Sequence, residues 1–194
     1  MGDAAETIPT RAMTADEFLA WAETYGGDGV FELHDGHIVA KHTAMAPEAL
    51  PHVELKAAIY VGLRDAIRTA GLPCRAFIEG LAVRVSPNRS FIPDAIVYCG
   101  QELPRSTREI ADPMVVVEVL SPSTARYDLN VKLEGYFLVP SIMHYLIVDP
   151  DRPLVIHYAR QTDGSLRTTL TPSGTLRLEP PGIDINLDAV FSGA

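Results

Sequence analysis

The sequence predicts an α/β (α+β) fold in which helices pack on a β-sheet. Three observations predict it: two stretches with helical apolar spacing, a series of apolar runs short enough to be strands, and the mixed order of the two kinds. Helices placed among strands favour a layer of helix packed on a sheet. The 194 residues suffice for one full core, so we expect a single domain over 1–194.

A short helix and a β-hairpin open the chain. In MTADEFLAWAE, Thr14 is the predicted N-cap and Glu17 completes a capping box, before the glycines of GGDG end the helix. The segment VFELHDGHIVAKH then predicts an N-terminal hairpin, with one strand over Val30–Leu33, an Asp-Gly turn and a return strand from His37.

Two amphipathic helices follow. The stronger signal is PEALPHVELKAAIYVGLRDAIRTAG, which Gly71 ends. Five residues predict its buried face: Val53, Ala57, Tyr60, Val61 and Leu63. The other helix is DLNVKLEGYFLV, whose apolar residues are Leu129, Leu133, Tyr136 and Phe137.

Three apolar segments between these helices read as successive strands: CRAFIEGLAVRVS, FIPDAIVYC and MVVVEVLS. MHYLIVDP predicts a further buried strand. The segment beyond it is rich in β-forming residues and in Asp-Gly and Ser-Gly turns, which predicts a C-terminal β-rich extension.

Composition restricts the classes of function. The formal net charge of −9 argues against tight binding of nucleic acid without metal ions, although it permits a local basic groove or acids covered by cations. No apolar run reaches the roughly 18 residues that a membrane span needs, so we expect no membrane association. Cys74 and Cys99 are too few for a disulfide framework, and the N-terminus lacks signal-peptide features. These features predict a reduced, cytoplasmic protein.

Acidic residues interrupt the apolar strands. Glu118 shares a strand face with Val116, and Asp94 alternates onto the side of Ile96 in an earlier strand. Glu32 lies between two apolar residues of the hairpin. Burial of such charges costs several kcal/mol unless they are compensated. Acids brought together repel, and a hard divalent cation such as Mg²⁺ resolves that conflict. A buried ion pair, for example of Glu118 with an arginine, is the alternative explanation.

Lys132 lies on the flank of the second amphipathic helix, one turn before Tyr136. A lysine at that place can extend its stem along the core and present its ammonium to the acids or to a developing oxyanion. The alternative is a solvated surface lysine. Because crowded acids repel each other, replacing Asp94 or Glu118 by its amide should leave the metal-free protein at least as stable as the wild type.

The sequence resembles the Uma2 family (DUF820) of restriction-endonuclease-like proteins, within the PD-(D/E)xK nuclease superfamily. The matching segments are FELHDGHIV, FIPDAIVY, VVVEVLSPSTARYDLNVKLEGY and MHYLIVDP, in family order from about Phe18 to about Val190. The resemblance implies a restriction-endonuclease-like core, in which a central mixed β-sheet is flanked by helices. It implies that Pro93-Asp94 is the Pro-Asp of the superfamily motif and that Glu118 is its second acid, while Leu120 stands where the lysine usually is.

The resemblance also assigns roles. It implies Asp94 and Glu118 as metal ligands, Lys132 as the substitute for the missing lysine, Glu32 as the acid of the earlier segment, and His52 as a weak accessory residue. Asp128 and Tyr136 match too, with an N-cap and a core aromatic as alternatives. The implied activity is Mg²⁺- or Mn²⁺-dependent hydrolysis of phosphodiester bonds in nucleic acid, DNA above all.

The sequence permits two other functions. One is a nuclease-like scaffold that binds nucleic acid or a protein partner without cutting, which the net charge and the displaced lysine favour. A zinc or serine hydrolase is less favoured, because HExxH and GxSxG are both absent from the sequence. Apolar edges in the β-rich extension predict a possible homodimer.

Overall fold

The computed structural model describes residues 7–42, 49–120 and 128–193, without the side chains of residues 42, 128 and 129. The helices are α1 (Ala15–Thr24), α2 (Leu50–Ala70), α3 (Leu133–Leu138) and α4 (Leu187–Ser192). A turn of π-helix, Asp128–Lys132, leads directly into α3. The strands are β1 (Val30–His34), β2 (His37–His42), β3 (Arg75–Ile78), β4 (Val83–Ser86), β5 (Arg89–Phe91), β6 (Ala95–Tyr98), β7 (Val115–Val119), β8 (His144–Asp149), β9 (Leu154–Arg160), β10 (Leu166–Thr171), β11 (Thr175–Leu178) and β12 (Ile183–Asn186).

A six-stranded sheet forms the centre of the molecule, in the order β10-β9-β8-β7-β6-β3. Strands β7 and β8 are parallel and the other neighbours are antiparallel, so the predicted mixed sheet is confirmed. Two strands of the β-rich extension, β9 and β10, continue this sheet. The other two, β11 and β12, form a separate hairpin whose second strand packs beside α2.

A second, antiparallel sheet has the order β2-β1-β5-β4. Its presence corrects the predicted strands, because CRAFIEGLAVRVS and FIPDAIVYC each divide into two strands that belong to different sheets. Gly80, whose φ of +119° few other residues adopt, lies at the first division. Pro93, which has no N–H for a ladder, lies at the second. Asp94 therefore lies where the two sheets meet.

The six-stranded sheet is covered on both faces. Along β7, Val115, Val117 and Val119 face a core shared with α2. Val116 faces the other core, which contains Tyr136 of α3. All five residues of β7 are buried, and alternation puts Glu118 on the side of Val116. The acid thus faces α3 and the smaller sheet.

The bounds of α2 follow the prediction, but its predicted buried face is wrong except at Leu63. Val53 and Val61 are 47% and 50% exposed. The buried residues of the helix are His52, Leu55, Lys56, Ile59, Leu63, Ala66 and Ile67. The helix carries two apolar stripes, and the stripe that packs on the sheet includes a histidine and a lysine, so hydrophobicity alone selected the wrong one.

The two cysteines form a disulfide, which corrects the prediction of a reduced protein. Strands β3 and β6 pair with Arg75 opposite Tyr98, so the next residues outward, Cys74 and Cys99, also lie opposite each other. Their Cα atoms are 4.1 Å apart and their sulfurs are bonded. The number of cysteines could not show this, because the pairing depends on the register of two strands.

The predicted opening of the chain is confirmed. Thr14 caps α1 with Glu17 in a reciprocal capping box, and β1 and β2 form the predicted hairpin. Within the described ranges, every helix is too short or too polar to cross a bilayer.

Candidate active site

Glu118 is 1% exposed, and its carboxylate accepts hydrogen bonds from three side chains in the described part of the chain. Its Oε1 accepts hydrogen bonds from the hydroxyl of Tyr136 (2.6 Å) and from Nζ of Lys132 (2.8 Å). Its Oε2 accepts a hydrogen bond from Nζ of Lys41 at 3.4 Å. The charge within the apolar strand is therefore compensated by two lysines, the predicted Lys132 and Lys41, which the sequence does not reveal.

Asp94 is joined to the same strand by its backbone and its side chain. Its N–H donates to the carbonyl of Val117 at 2.9 Å, and its Oδ2 accepts from the N–H of Val119 at 2.7 Å. Its Oδ1 accepts from Nζ of Lys41 at 2.8 Å. The carboxylates of Asp94 and Glu118 thus converge on one cation, and that cation is the ammonium of Lys41.

Oxygen atoms surround this ammonium. Besides Asp94 and Glu118, Nζ of Lys41 donates to the carbonyl oxygen of Ile92, and Oε1 of Glu79 lies 3.5 Å away. Glu79 in turn pairs with Lys56 at 2.6 Å. Burial by itself would lower the pKa of Lys41, but Glu118 and Asp94 raise it well above its usual value, so this lysine stays charged.

Lys132 joins a second pair of acids. Its Nζ lies 3.1 Å from Oε1 of Glu32 and 2.8 Å from Oε1 of Glu118, and its side chain is 2% exposed. Glu32 also accepts from the N–H of Ile92 at 2.8 Å, and its other oxygen lies 2.9 Å from Nε2 of His34. Lys132 reaches the site as predicted, and the alternative of a solvated surface lysine is wrong.

The electrostatic environment keeps the acids ionised. Burial would raise the pKa values of Glu32 and Asp94, but the lysines outweigh it. Lys132 is the main cause of the low pKa of Glu32, and Lys41 and Lys56 lower the pKa of Asp94. Burial and the nearby Glu118 raise the pKa of Tyr136 well above its usual range, so its hydroxyl stays a proton donor.

His52 is buried on α2 and contacts the neighbouring backbone. Its Nε2 donates to the carbonyl of Val119 at 2.9 Å, since a carbonyl can only accept. This contact places the histidine beside the strand that carries Glu118. Tyr136, considered a core aromatic in one reading, also donates to Glu118. The side chain of Asp128 and residues 121–127, which include the SPST segment (121–124), lie outside the described residues.

Sequence reasoning missed three residues of the site: Lys41, Lys56 and Glu79. Lys56 had a detectable signal, because it lies on the helical row of His52, Ile59 and Leu63, which are all buried. Lys41 and Glu79 follow no periodic pattern. They lie at the end of β2 and just after β3, and only the meeting of the two sheets brings them to Asp94.

A model of the Uma2 family, described as "Putative restriction endonuclease", matches residues 15–189. The chain belongs to the Uma2 family. The match includes all five predicted site residues: Glu32, His52, Asp94, Glu118 and Lys132. The predicted family is thereby confirmed.

The chain is also similar to two proteins of Synechocystis sp.. "Uncharacterized protein slr1290" of Synechocystis sp. is 27% identical over 189 residues, which cover 96% of this chain and 95% of that protein. "Uncharacterized protein sll1609" of the same organism is 29% identical over 90 residues, which are 45% of this chain and 51% of the other.

A solved structure supports the fold of this Uma2 chain. The crystal structure of a "putative nuclease belonging to DUF820" from Anabaena variabilis superposes with a TM-score of 0.69, covering 93% of this chain and 98% of that one. The two sequences are 20% identical. The similarity therefore shows that the two proteins share a fold, and it shows the fold alone.

The donor atoms around Lys41 suit a hard divalent cation. Among the described residues, no group of three or more His, Cys, Asp or Glu side chains is arranged to hold a metal. Mg²⁺, however, usually takes only one or two carboxylates and keeps several waters. Asp94 Oδ1, Glu118 Oε2 and the carbonyl of Ile92 all contact one cationic nitrogen, so this donor set fits such an ion.

Proposed function

We propose that this protein is a metal-dependent endonuclease that hydrolyses phosphodiester bonds in nucleic acid, with DNA as its substrate and Mg²⁺ or Mn²⁺ as its cofactor. The observation that carries the proposal is the convergence of Asp94 and Glu118 on one cation position. Membership of a family described as restriction endonucleases supports it. The usual lysine is replaced by Leu120, and Lys132 from the π-helical turn contacts Glu118 in its place.

Each residue has a definite task in this proposal. Asp94 Oδ1 and Glu118 Oε2 would hold the cation, which supplies charge neutralisation and an activated water when bound. The N–H of Val119 fixes Oδ2 of Asp94 and so directs Oδ1 to the cation position. Lys132 and Tyr136 orient Glu118 through its other oxygen. Lys132 also supplies positive charge toward the phosphate, Glu32 holds Lys132 in place, and His52 supports the backbone of β7.

Nicking of supercoiled plasmid DNA tests the proposal. The wild-type protein should nick the plasmid with Mn²⁺ or Mg²⁺ and should stop when EDTA is added. Asp94→Asn and Glu118→Gln should lower the rate at least about 100-fold, because each removes a ligand charge. Glu134→Gln is the matched control, since Glu134 lies on α3 near the site but its side chain is 71% exposed.

Folding must be checked for each variant by circular dichroism, because both acids are buried in ion pairs. A folded Asp94→Asn protein that nicks as fast as the wild type would contradict the assignment of Asp94 as a metal ligand. Equal loss of nicking in Glu134→Gln would show that any lost acid lowers the rate, and would contradict the assigned site.

The second candidate function is a nuclease-like scaffold that binds nucleic acid or a protein partner without cutting. One observation favours it: the lysines of this chain already pair the acids, so the folded protein does not need a metal. Calorimetric titration with Mn²⁺ separates the two functions. A protein that binds no divalent cation and cuts no DNA or RNA would be the scaffold.

Homodimer formation and a cytoplasmic location stay predictions. Leu170 on the edge strand β10 is 62% exposed, and light scattering would show whether this edge is used. Disulfides are rare in the cytosol, so the Cys74–Cys99 bond argues against a strongly reducing compartment. Cell fractionation would decide the location.

A further inference from the structure

We propose that Lys41 is a built-in competitor of the divalent cation: its ammonium occupies the cation position between Asp94 and Glu118 and must leave before a metal binds. The inference rests on the proposed function, because it assumes a cation at that position. It adds a residue outside the resemblance that identified the site, and it predicts how that residue controls metal affinity.

The first support is the set of atoms that Lys41 contacts. An ammonium has three donors, and Nζ of Lys41 directs them to three oxygens, those of Ile92, Asp94 and Glu118. Lys56 and Lys132 also pair with the acids, but neither of them contacts both Asp94 and Glu118 in the ion pairs of the described residues. Lys41 alone among these three lysines therefore bridges the two proposed ligands.

The second support is the place of Lys41 in a β-bulge. In the hairpin, Val30 pairs with His42 and Phe31 pairs with Ala40, so Lys41 is the extra residue between two ladder pairs. A bulge bends its strand and re-aims a side chain, and bulges occur frequently beside active sites.

The third support is that Lys41 belongs to an edge strand, whereas the other two lysines belong to more firmly held parts of the fold. It lies near the end of β2, the edge strand of the four-stranded sheet, which is paired on one side only. Lys56 lies on the packed face of the 21-residue helix α2. Lys132 is held between Glu32 and Glu118. Rotation of the flexible stem of Lys41 would free an oxygen of each proposed ligand and open a path to them.

Exchange of the Lys41 ammonium for a metal ion would set the apparent affinity of the site for the metal. The apparent dissociation constant equals the intrinsic constant divided by the fraction of molecules in which the site is open. Lys41 shields Asp94 and Glu118, whose side chains are each 2% exposed, so this fraction is small in the wild-type protein. Removal of the ammonium should raise the affinity for the cation.

Calorimetric titration with Mn²⁺ tests this expectation without any nuclease assay. Lys41→Met should lower the dissociation constant at least about tenfold relative to the wild type. Lys56→Met is the matched control, because Lys56 is also buried and its Nζ lies 3.4 Å from Oδ1 of Asp94. The control removes the same charge without opening the bridge, so its dissociation constant should change much less.

A second measurement uses the wild-type protein, in case Lys41→Met does not fold. The ammonium of Lys41 should give a protected signal in ¹⁵N-lysine NMR, assigned by comparison with Lys41→Arg. Titration with diamagnetic Mg²⁺ should remove this protection as the cation takes its place. A Lys41 signal that is unchanged at saturating Mg²⁺ would overturn the inference.

The outcomes separate this inference from the proposed function. Metal binding by the wild type and Lys41→Met with equal affinity overturns the competition and leaves the nuclease proposal intact. An equal gain in Mn²⁺ affinity in Lys41→Met and Lys56→Met also overturns the competition, because the loss of any positive charge would then explain the gain. Binding only by Lys41→Met supports it. Absence of binding to both overturns the inference together with the proposed cofactor.

Discussion

At the scale of single residues, the buried acids depend on particular lysines. Glu118 and Glu32 are both buried, and Lys132 lies between them. Loss of one partner from a buried ion pair leaves an uncompensated charge, which costs more than the pair itself contributes. The sequence-based expectation that amide variants of Asp94 and Glu118 would be as stable as the wild type therefore loses its basis.

Lys132→Met should lower the free energy of unfolding by about 3–5 kcal/mol, because it leaves two carboxylates close together in the core. The double variant Lys132→Met with Glu32→Gln should recover part of that loss, since one of the two charges is removed. Guanidinium titration followed by circular dichroism gives both values. A single variant as stable as the wild type would show that Lys132 does not pair with these acids in solution.

The residues of the site differ in how far the sequence reveals them. Asp94, Glu118 and Glu32 could be found because each acid breaks an apolar strand pattern, and Lys132 because it flanks an apolar helix face. Lys41 sits in a bulge, and bulges break the alternation that makes strands readable. Sequence reasoning found the acids and one of their lysine partners, Lys132, but it missed Lys41 and Lys56.

At the scale of elements, the position of α3 fixes two partners of Glu118. Lys132 immediately precedes α3, and Tyr136 lies within it. The helix packs closely on the four-stranded sheet at Gly135: a Cβ there would lie 2.7 Å from a ring carbon of Phe91 and 3.2 Å from a methyl of Val85. Glycine thus allows the approach that brings both donors to the acid.

Gly135→Ala should destabilise the protein by about 1–3 kcal/mol, the usual cost of an overpacked core. The added methyl should push α3 away from β5 and weaken the contacts of Lys132 and Tyr136 with Glu118. Thermal unfolding measures the loss. Gly26→Ala is the control, because its Cβ would meet no atom within 4 Å. Equal melting temperatures for the two variants would contradict the close packing of α3.

The elements themselves were largely predictable, but their assembly was not. Periodicity located the hairpin, α2 and the buried strand β7. It could not show that residues 74–86 divide between two sheets, because a strand that changes sheets keeps its alternation. It also selected the wrong face of α2, since the helix offers two apolar stripes and the tertiary contacts decide between them.

At the scale of the whole molecule, a histidine pair controls the response of stability to pH. His144 Nδ1 and His157 Nε2 are 2.9 Å apart between β8 and β9, and His144 Nε2 donates to the carbonyl of Pro180. In a neutral ring only one nitrogen carries a proton, so His144 Nδ1 accepts from His157 Nε2 when both rings are neutral. Burial lowers the pKa of His144, and burial together with His144 and Arg167 lowers that of His157 to about 4.

The lowered pKa of His157 determines how the stability of the protein changes with pH. A histidine with a folded pKa of about 4 and an ordinary value of 6.5 contributes its full stability above pH 6.5 and loses it as the pH falls toward 4. Wild-type protein should lose about 1–2 kcal/mol of unfolding free energy between pH 7 and pH 5 through His157. His157→Gln should lose less over that range in urea titrations. An identical pH dependence in both proteins would contradict the assignment.

The disulfide between Cys74 and Cys99 gives the chain a covalent topology that the order of its strands does not reveal. It closes residues 74–99 into a ring, with a sequence separation of 25. Glu79 and Asp94 belong to this ring, while Lys41 precedes it and Glu118 follows it. If a protease cut the backbone once inside the ring, the fragment with Lys41 and the fragment with Glu118 would therefore stay linked through the disulfide. A reductant would break that link.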